Sequence, residues 1–501
     1  GLIESQTLFA VMPHQYKNLD SSVSYVNNKT FSTLRGSLKL AEGNSFSTKI
    51  NFYGMTPFFK YSLSDDIKTN LASYLSNDKN VDISSMPADT YYGGKAVARL
   101  ANLLPIADNL NDEISKIQII AKLKTVLENW FKYDPAETNK YFSYDQTWGG
   151  LIGITAGFGS ENYNDHNFHY GYFIYASAIL AMYDPSFADD YGGMVNLLIK
   201  DIANTNRSDS NFPYMRCFDI YESHSWANGM GGADDRGIDQ ESSSEAMNAW
   251  SAVYLWGLAT NNDYYKNLGI YLYSSENEAI KQYYFDIDQD VLKSPYNHNS
   301  IGILWGGLVN YSLHFWPQNP QTIKGIQILP LTPSMTYLAY DKQYLSNFYN
   351  QSKTEPGADL SQWYDIWARL IALIDPSQAL LQFETYKSLA AEDGSSKTFT
   401  YHFINFFNIY GTPALRYTAD FPSYIVTEKS GKDIFSVYNY TNSVKTVRFY
   451  NSSGTYIGKL KAYASSFVST SDLDPSNSEE KLLVYPVPYK PCSGGKYDGS
   501  G

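Results

Sequence analysis

Between about residue 80 and residue 415 apolar residues return at steps of three and four, and no other feature of this sequence constrains the fold as strongly. Ile117, Ile120, Leu123, Leu127, Trp130 and Phe131 show the pattern. Further helices are predicted at Tyr170–Met182, Met194–Asn204, Ser242–Thr260, Asp263–Phe285, Ser361–Ile374 and Ser377–Ala391. Long loops rich in Gly, Asn and Asp separate them. A four-helix bundle would need shorter connections, and no fixed-period repeat marks a solenoid. The pattern therefore predicts a mainly α fold, a toroid of paired helices whose loops form a groove.

Strand signals flank this region. Residues 1–78 alternate β-rich stretches (Thr7–Val11, Phe31–Leu40, Ser45–Phe52) with Gly36, Gly43, Gly54 and Pro57, predicting a small α/β region. The helical domain is expected over 79–418. A β-strand element over 419–470 follows, with strands at Tyr424–Thr427, Ile434–Tyr440, Val444–Tyr450 and Ser466–Ser469. Residues 471–501 open polar and acidic and then run through Pro486 and Pro488, as a linker into a truncated further module or as a disordered tail.

Charge narrows the function. Lys and Arg total 38 against 51 Asp and Glu, a net charge of -13, so neither nucleic acid nor an anionic membrane finds a basic footprint. A neutral substrate fits better, and 45 Tyr, 26 Phe and 9 Trp supply flat faces that suit sugar rings as well as a core. Cys217 and Cys492 imply neither a disulfide framework nor a cysteine zinc site. The longest uncharged apolar run, Tyr170–Tyr183, falls short of the roughly 20 residues of a membrane span. No leader pattern opens the chain, and Gly1-Leu2-Ile3-Glu4 reads as an entry in mid-protein.

Three stretches could carry chemistry. In Asn164-Asp165-His166-Asn167-Phe168-His169-Tyr170-Gly171-Tyr172, Asp165 stands at a helix entrance, where a carboxylate commonly caps free N–H groups. His166 and His169 lack the further ligands of a metal motif, so no metal and no cofactor is expected. The second stretch, Phe218 to Gly229, places Trp226 beside His224, a sugar platform or an ordered structural loop. In the third, Gln240 to Trp250, Ser242 and Glu245 have capping-box spacing. Glu241 and Glu245 are also four apart, about 6 Å on one helix face, where mutual repulsion and burial would raise a carboxyl pKa.

In this order and spacing these stretches, together with Met12-Pro13-His14-Gln15, Asp89-Thr90-Tyr91-Tyr92-Gly93-Gly94-Lys95, Trp148-Gly149-Gly150, Asp201-Ile202-Ala203-Asn204, His224-Ser225-Trp226-Ala227 and Gly325-Ile326-Gln327-Ile328-Leu329-Pro330, resemble glycoside hydrolase family 81 from about residue 10 to 470. The resemblance implies an (α/α)6 barrel beside a small α/β domain, the chain starting after most of an N-terminal β-sandwich. It implies endo-hydrolysis of β-1,3-glucan with inversion, secretion, and a monomer. By position Asp165 would be the general acid, Glu241 the general base, and Glu245 its assistant or the base itself. His169 would orient the acid or bind sugar. Tyr92, Lys95, His224 and Trp226 match motifs that line the family's groove. Asn167, Cys217, Ile220 and Ser223 depart from the family's usual His, Asn, Trp and Gly. Two other classes stay open: a glucan-binding protein without catalysis, and a polysaccharide lyase on a helical toroid.

Overall fold

A computed structural model of the chain describes residues 7–230, 236–313 and 317–476. Thirteen helices occur among them, in the order α1 (Pro13–Tyr16), α2 (Asp65–Asp78), α3 (Thr90–Asn109), α4 (Glu113–Phe131), α5 (His166–Tyr183), α6 (Pro185–Ala203), α7 (Ser243–Ala259), α8 (Asp263–Tyr283), α9 (Pro320–Gly325), α10 (Lys342–Thr354), α11 (Tyr364–Ala372), α12 (Pro376–Tyr386) and α13 (Lys397–Tyr410). None is long and apolar enough to cross a membrane.

The expected ring of paired helices is present, and two kinds of sequence build it. Inner helices are buried on nearly every side: all of α5 except Met182 and Tyr183, all of α7 except Ala259, and all of α11. The outer helix α4 buries only one stripe, Ser115, Ile119, Leu123, Val126, Leu127, Trp130 and Phe131. α5 packs between α3 and α7, and α13 packs on both α3 and α11. Between α7 and α11 the inner position falls to α9 and an irregular buried run. Ser242 Oγ donates to Ile326 O (2.8 Å), and Arg369 Nη2 donates to Pro330 O (3.0 Å), which stitches that run to both neighbours and completes the ring. Gly171 allows the α5–α7 approach, because a Cβ there would lie 2.9 Å from Ala249 Cα.

Several elements differ from the sequence expectation for identifiable reasons. α3 carries Gly93, Gly94 and Pro105, all helix breakers in local terms, yet it is continuous because it is packed in the ring. α6 starts at Pro185 rather than Met194, since proline suits a first helical position. Phe31–Leu40 is not one strand but a hairpin corner between Ser24–Thr33 and Gly36–Gly43, turning through Gly36 at φ +83°. Ser45–Phe52 contributes only a bridge from Thr48 to Leu19. Thr7–Val11 pairs with Gly36–Gly43 as expected.

After α13, two sheets face each other across their own small core of Phe421, Val426, Phe435, Val437, Val447, Phe449 and Leu460. One sheet holds Thr412–Pro413, Tyr424–Lys429, Lys432–Asn439 and Ser466–Thr470, and the other Tyr417–Ala419, Lys445–Asn451 and Tyr456–Ala462. The strand Tyr456–Ala462 escapes local reading because Gly458 interrupts it at φ +148°. Cys492 and most of the expected linker, residues 477–501, lie outside the described residues.

Candidate active site

Asp165 occupies the N-cap of α5 without capping it. Its backbone is left-handed at φ +60°, a conformation Asp and Asn tolerate best, and no side-chain capping bond forms. The main chain is held instead by Asp165 N–H donating to Ala227 O, while Ala227 N–H donates to Asp239 O, both at 2.8 Å. These two bonds bring the entrance of α5 beside the segment that leads into α7. The carboxyl is buried. Oδ2 accepts from Asn164 Nδ2 at 2.9 Å, and Oδ1 has no protein partner. Burial, and then the charges of Glu241, Asp239 and Glu245, push its pKa well above the usual carboxylate range.

Glu241 follows a two-residue strand, Asp239–Gln240, that pairs with Ile303–Trp305. Ser242 then caps α7, its Oγ accepting from Glu245 N at 3.3 Å. The expected shared helix face is therefore corrected: Glu245 is on the helix, and Glu241 precedes the cap. Buried Gln327 fixes this junction. Its Nε2 donates to Glu241 O (2.8 Å) and Gly302 O (2.7 Å), and its Oε1 accepts from Ser243 N (3.0 Å). Burial and the charges of Asp239 and Glu245 push the Glu241 carboxyl up to about 8.

That shift has a consequence for stability. Unfolded, Glu241 ionises near its ordinary value of 4.5; folded, it keeps its proton to about 8. Across this window the native state binds more protons, so stability falls as pH rises. Glu241→Gln, which cannot ionise, is expected to be more stable than the parent protein at pH 8 by about 4 kcal/mol and equal to it at pH 4. Urea unfolding at both pH values tests this, and the same difference at both would defeat it.

Glu245 is buried and accepts from Tyr172 of α5, with Tyr172 Oη 2.6 Å from Oε1. Burial raises its pKa, while Lys95 and the Tyr172 hydrogen bond pull it back. Lys95 itself is buried and forms an ion pair with Glu392. Burial opposes its charge, but Glu392, Tyr91 and Glu245 outweigh it and hold the ammonium well above its ordinary value. Lys95→Met would leave Glu392 as an uncompensated buried charge. The expected loss is about 3 to 5 kcal/mol of unfolding free energy, read from the urea midpoint; an unchanged midpoint would show that the pair carries no such weight.

The five expected sugar-binding residues divide into two groups. Tyr92 and Trp226 are partly exposed. His169, Lys95 and His224 are sealed beneath the surface at 1%, 2% and 0% exposure. His169 Nδ1 lies 2.8 Å from Thr90 Oγ1, and its ring packs on Tyr91. His224 is held between Glu222 Oε2 (2.9 Å) and Ser225 O (2.8 Å), with Trp226 edge-on at 4.6 Å. In this arrangement each of the three is engaged by neighbouring protein groups rather than open to a ligand. His166 is likewise committed, to Asp201 Oδ2 at 2.7 Å and Ser160 O at 2.8 Å. Cys217 is buried, and burial pushes its thiol up to about 12.

Sequence reasoning missed Arg35. It reaches from the N-terminal hairpin corner to Trp305 O (3.2 Å) and Glu222 Oε2 (3.4 Å), with its guanidinium 5.8 Å from the Trp226 ring. Nothing near it in sequence signals that contact. Gln327 and Asp201 lay within quoted motifs, but their roles needed the partners that folding supplies.

Comparison with known proteins now bears on this geometry. The model of the glycosyl hydrolase family 81 C-terminal domain matches residues 62–401. The chain belongs to glycoside hydrolase family 81. It is 41% identical over 448 residues to a glucan endo-1,3-beta-D-glucosidase of Acetivibrio thermocellus, covering 88% of this chain and 57% of that protein. To the protein of the same name from Thermobifida fusca it is 34% identical, covering 88% and 58%. A solved structure of glycoside hydrolase family 81 from Clostridium thermocellum, a glutamate-to-alanine mutant, superposes with a TM-score of 0.87 at 38% identity, covering 94% of this chain and 64% of that one. This family 81 chain therefore spans rather more than half the length of these relatives, and its helical body with small sheets at either end matches that solved structure.

Proposed function

We propose that the chain hydrolyses internal β-1,3-glucosidic bonds of β-1,3-glucan with inversion of configuration, using Asp165 as general acid and Glu241 as general base. The names of the relatives supply the substrate class. The observation that carries the assignment of roles is the state of Asp165: a carboxyl at a helix entrance that does not cap, buried, with one oxygen free of protein partners and its proton held by neighbouring charge.

Glu241, Asp239 and Glu245 lie near enough for their charge to raise Asp165. Ionisation of Glu241 therefore favours a protonated Asp165, which is the state an inverting pair needs. Asp165 then gives its proton to the glycosidic oxygen as the bond to the anomeric carbon breaks. Glu241 takes a proton from a water that attacks that carbon from the opposite face, a geometry that calls for an acid and a base about 6.5 to 9.5 Å apart. Glu245, beside Lys95 and Tyr172, supports Glu241 as a fixed charge. Secretion is consistent with a polymeric substrate, and a monomer is the simplest assembly for it.

Incubation with laminarin, curdlan, a β-1,4-glucan and a uronic acid polymer tests the substrate. Short saturated oligosaccharides from the β-1,3-glucans alone are expected. Ultraviolet-absorbing products from the uronic polymer would mean a lyase, and curdlan binding without products a binding protein.

A further inference from the structure

Asn164 precedes the acid in sequence, and its amide has one chemically permitted orientation. Its nitrogen lies 2.9 Å from Phe158 O, a carbonyl that can only accept, and its oxygen faces Gly229 N–H at 3.4 Å. The second hydrogen of that nitrogen then points to Asp165 Oδ2, also at 2.9 Å. In a neutral carboxylic acid the carbonyl oxygen is the stronger acceptor, so an N–H on Oδ2 favours the form whose proton sits on Oδ1. Oδ1 is the buried oxygen to which no protein atom offers a partner.

The same amide secures a second feature. Phe158 is left-handed at φ +57°, an uncommon state for a bulky residue, and the hydrogen bond from Asn164 to its carbonyl holds it there. The residue is 54% exposed, and its ring stands edge-on to Tyr91 and Tyr92, with centroids 5.3 and 5.7 Å away. An exposed aromatic residue whose backbone is held by the amide that also contacts the proton donor is suited to the apolar face of a glucosyl unit.

We infer that Asn164 is a positioning residue that assigns the Asp165 proton to Oδ1 and holds the Phe158 ring in register with it, so that one amide aligns the sugar and the proton it receives. This rests on the reading of Asp165 as the general acid.

A double-mutant cycle on laminarin tests it, with Asn164→Ala, Asp165→Asn and the two combined. Asn164→Ala in the parent protein is expected to lower kcat about 10- to 100-fold, the range for a hydrogen bond to a charged group, with a much smaller change in KM. The amide N–H favours the ionised carboxyl, so its loss moves the basic limb of the kcat profile to higher pH. In the Asp165→Asn background the same change is expected to alter the residual rate less than about twofold, because no proton remains to place. A similar fold-loss in both backgrounds, or an unmoved basic limb, would overturn the inference and leave Asn164 as loop support. Near-normal turnover by Asp165→Asn alone would instead overturn the acid assignment. Should Asn164→Ala not fold, Asn164→Ser carries the same comparison, since its hydroxyl is too short to bridge both oxygens.

Discussion

Asp165→Asn is expected to lower kcat on laminarin about a thousandfold and to leave KM within a few-fold. The amide keeps the size of the side chain and can still meet Asn164, but it cannot release a proton. The substitution also removes the group that Glu241, Asp239 and Glu245 jointly hold neutral, so binding should not suffer from lost charge. The leaving group separates proton donation from general damage to the site. A β-linked laminaribioside with a 2,4-dinitrophenyl leaving group needs no protonation, and on it the variant is expected to stay within about tenfold of the parent protein. Equal losses on both substrates would mean that Asp165 organises the cleft rather than acting as its acid.

The second large effect concerns the glutamates. Glu241→Gln should lower kcat about a thousandfold, because attacking water loses its base. Glu245→Gln should lose less and behave differently with pH. The Glu245 charge raises both Glu241 and Asp165, so its removal is expected to move both limbs of the profile toward acid. Azide restores turnover where a base has been cut away, and Glu241→Ala with azide should yield the α-glucosyl azide, the inverted product. A β-azide would reverse the stereochemical assignment. Rescue of Glu245→Ala in place of Glu241→Ala would exchange the roles of the two residues.

How far the sequence could be read depended on whether a residue's partner was near it in the chain. Helix periodicity is local, and it located α4, α5, α7, α8 and α11 to within a few residues. Ser242 was legible as a cap, since its partner Glu245 N lies three residues on. The other half of the expected capping box was not, because the Glu245 carboxylate turns to Tyr172, 73 residues earlier. Lys95 and His224 were expected in the groove because they match motifs that line it in the family. Lys95 is instead sealed by Glu392, 297 residues away, a contact that motif spacing does not encode.

Taken alone, the sequence determined the helical class and the strand-rich flanks, which follow from periodicity, and it offered Asp165, Glu241 and Glu245 as candidate acids through the resemblance of its ordered motifs to the family. Only the tertiary structure decided what those acids experience. The Asp165 side chain is left uncapped because Ala227 and Asn164, from two different loops, hold the backbone and the carboxyl. Glu241 stands off the helix because Ser242 caps between it and Glu245. Their proton affinities depend on burial and on charges brought together across the ring, and desolvation and Coulomb energy are set by distance in space rather than by distance along the chain.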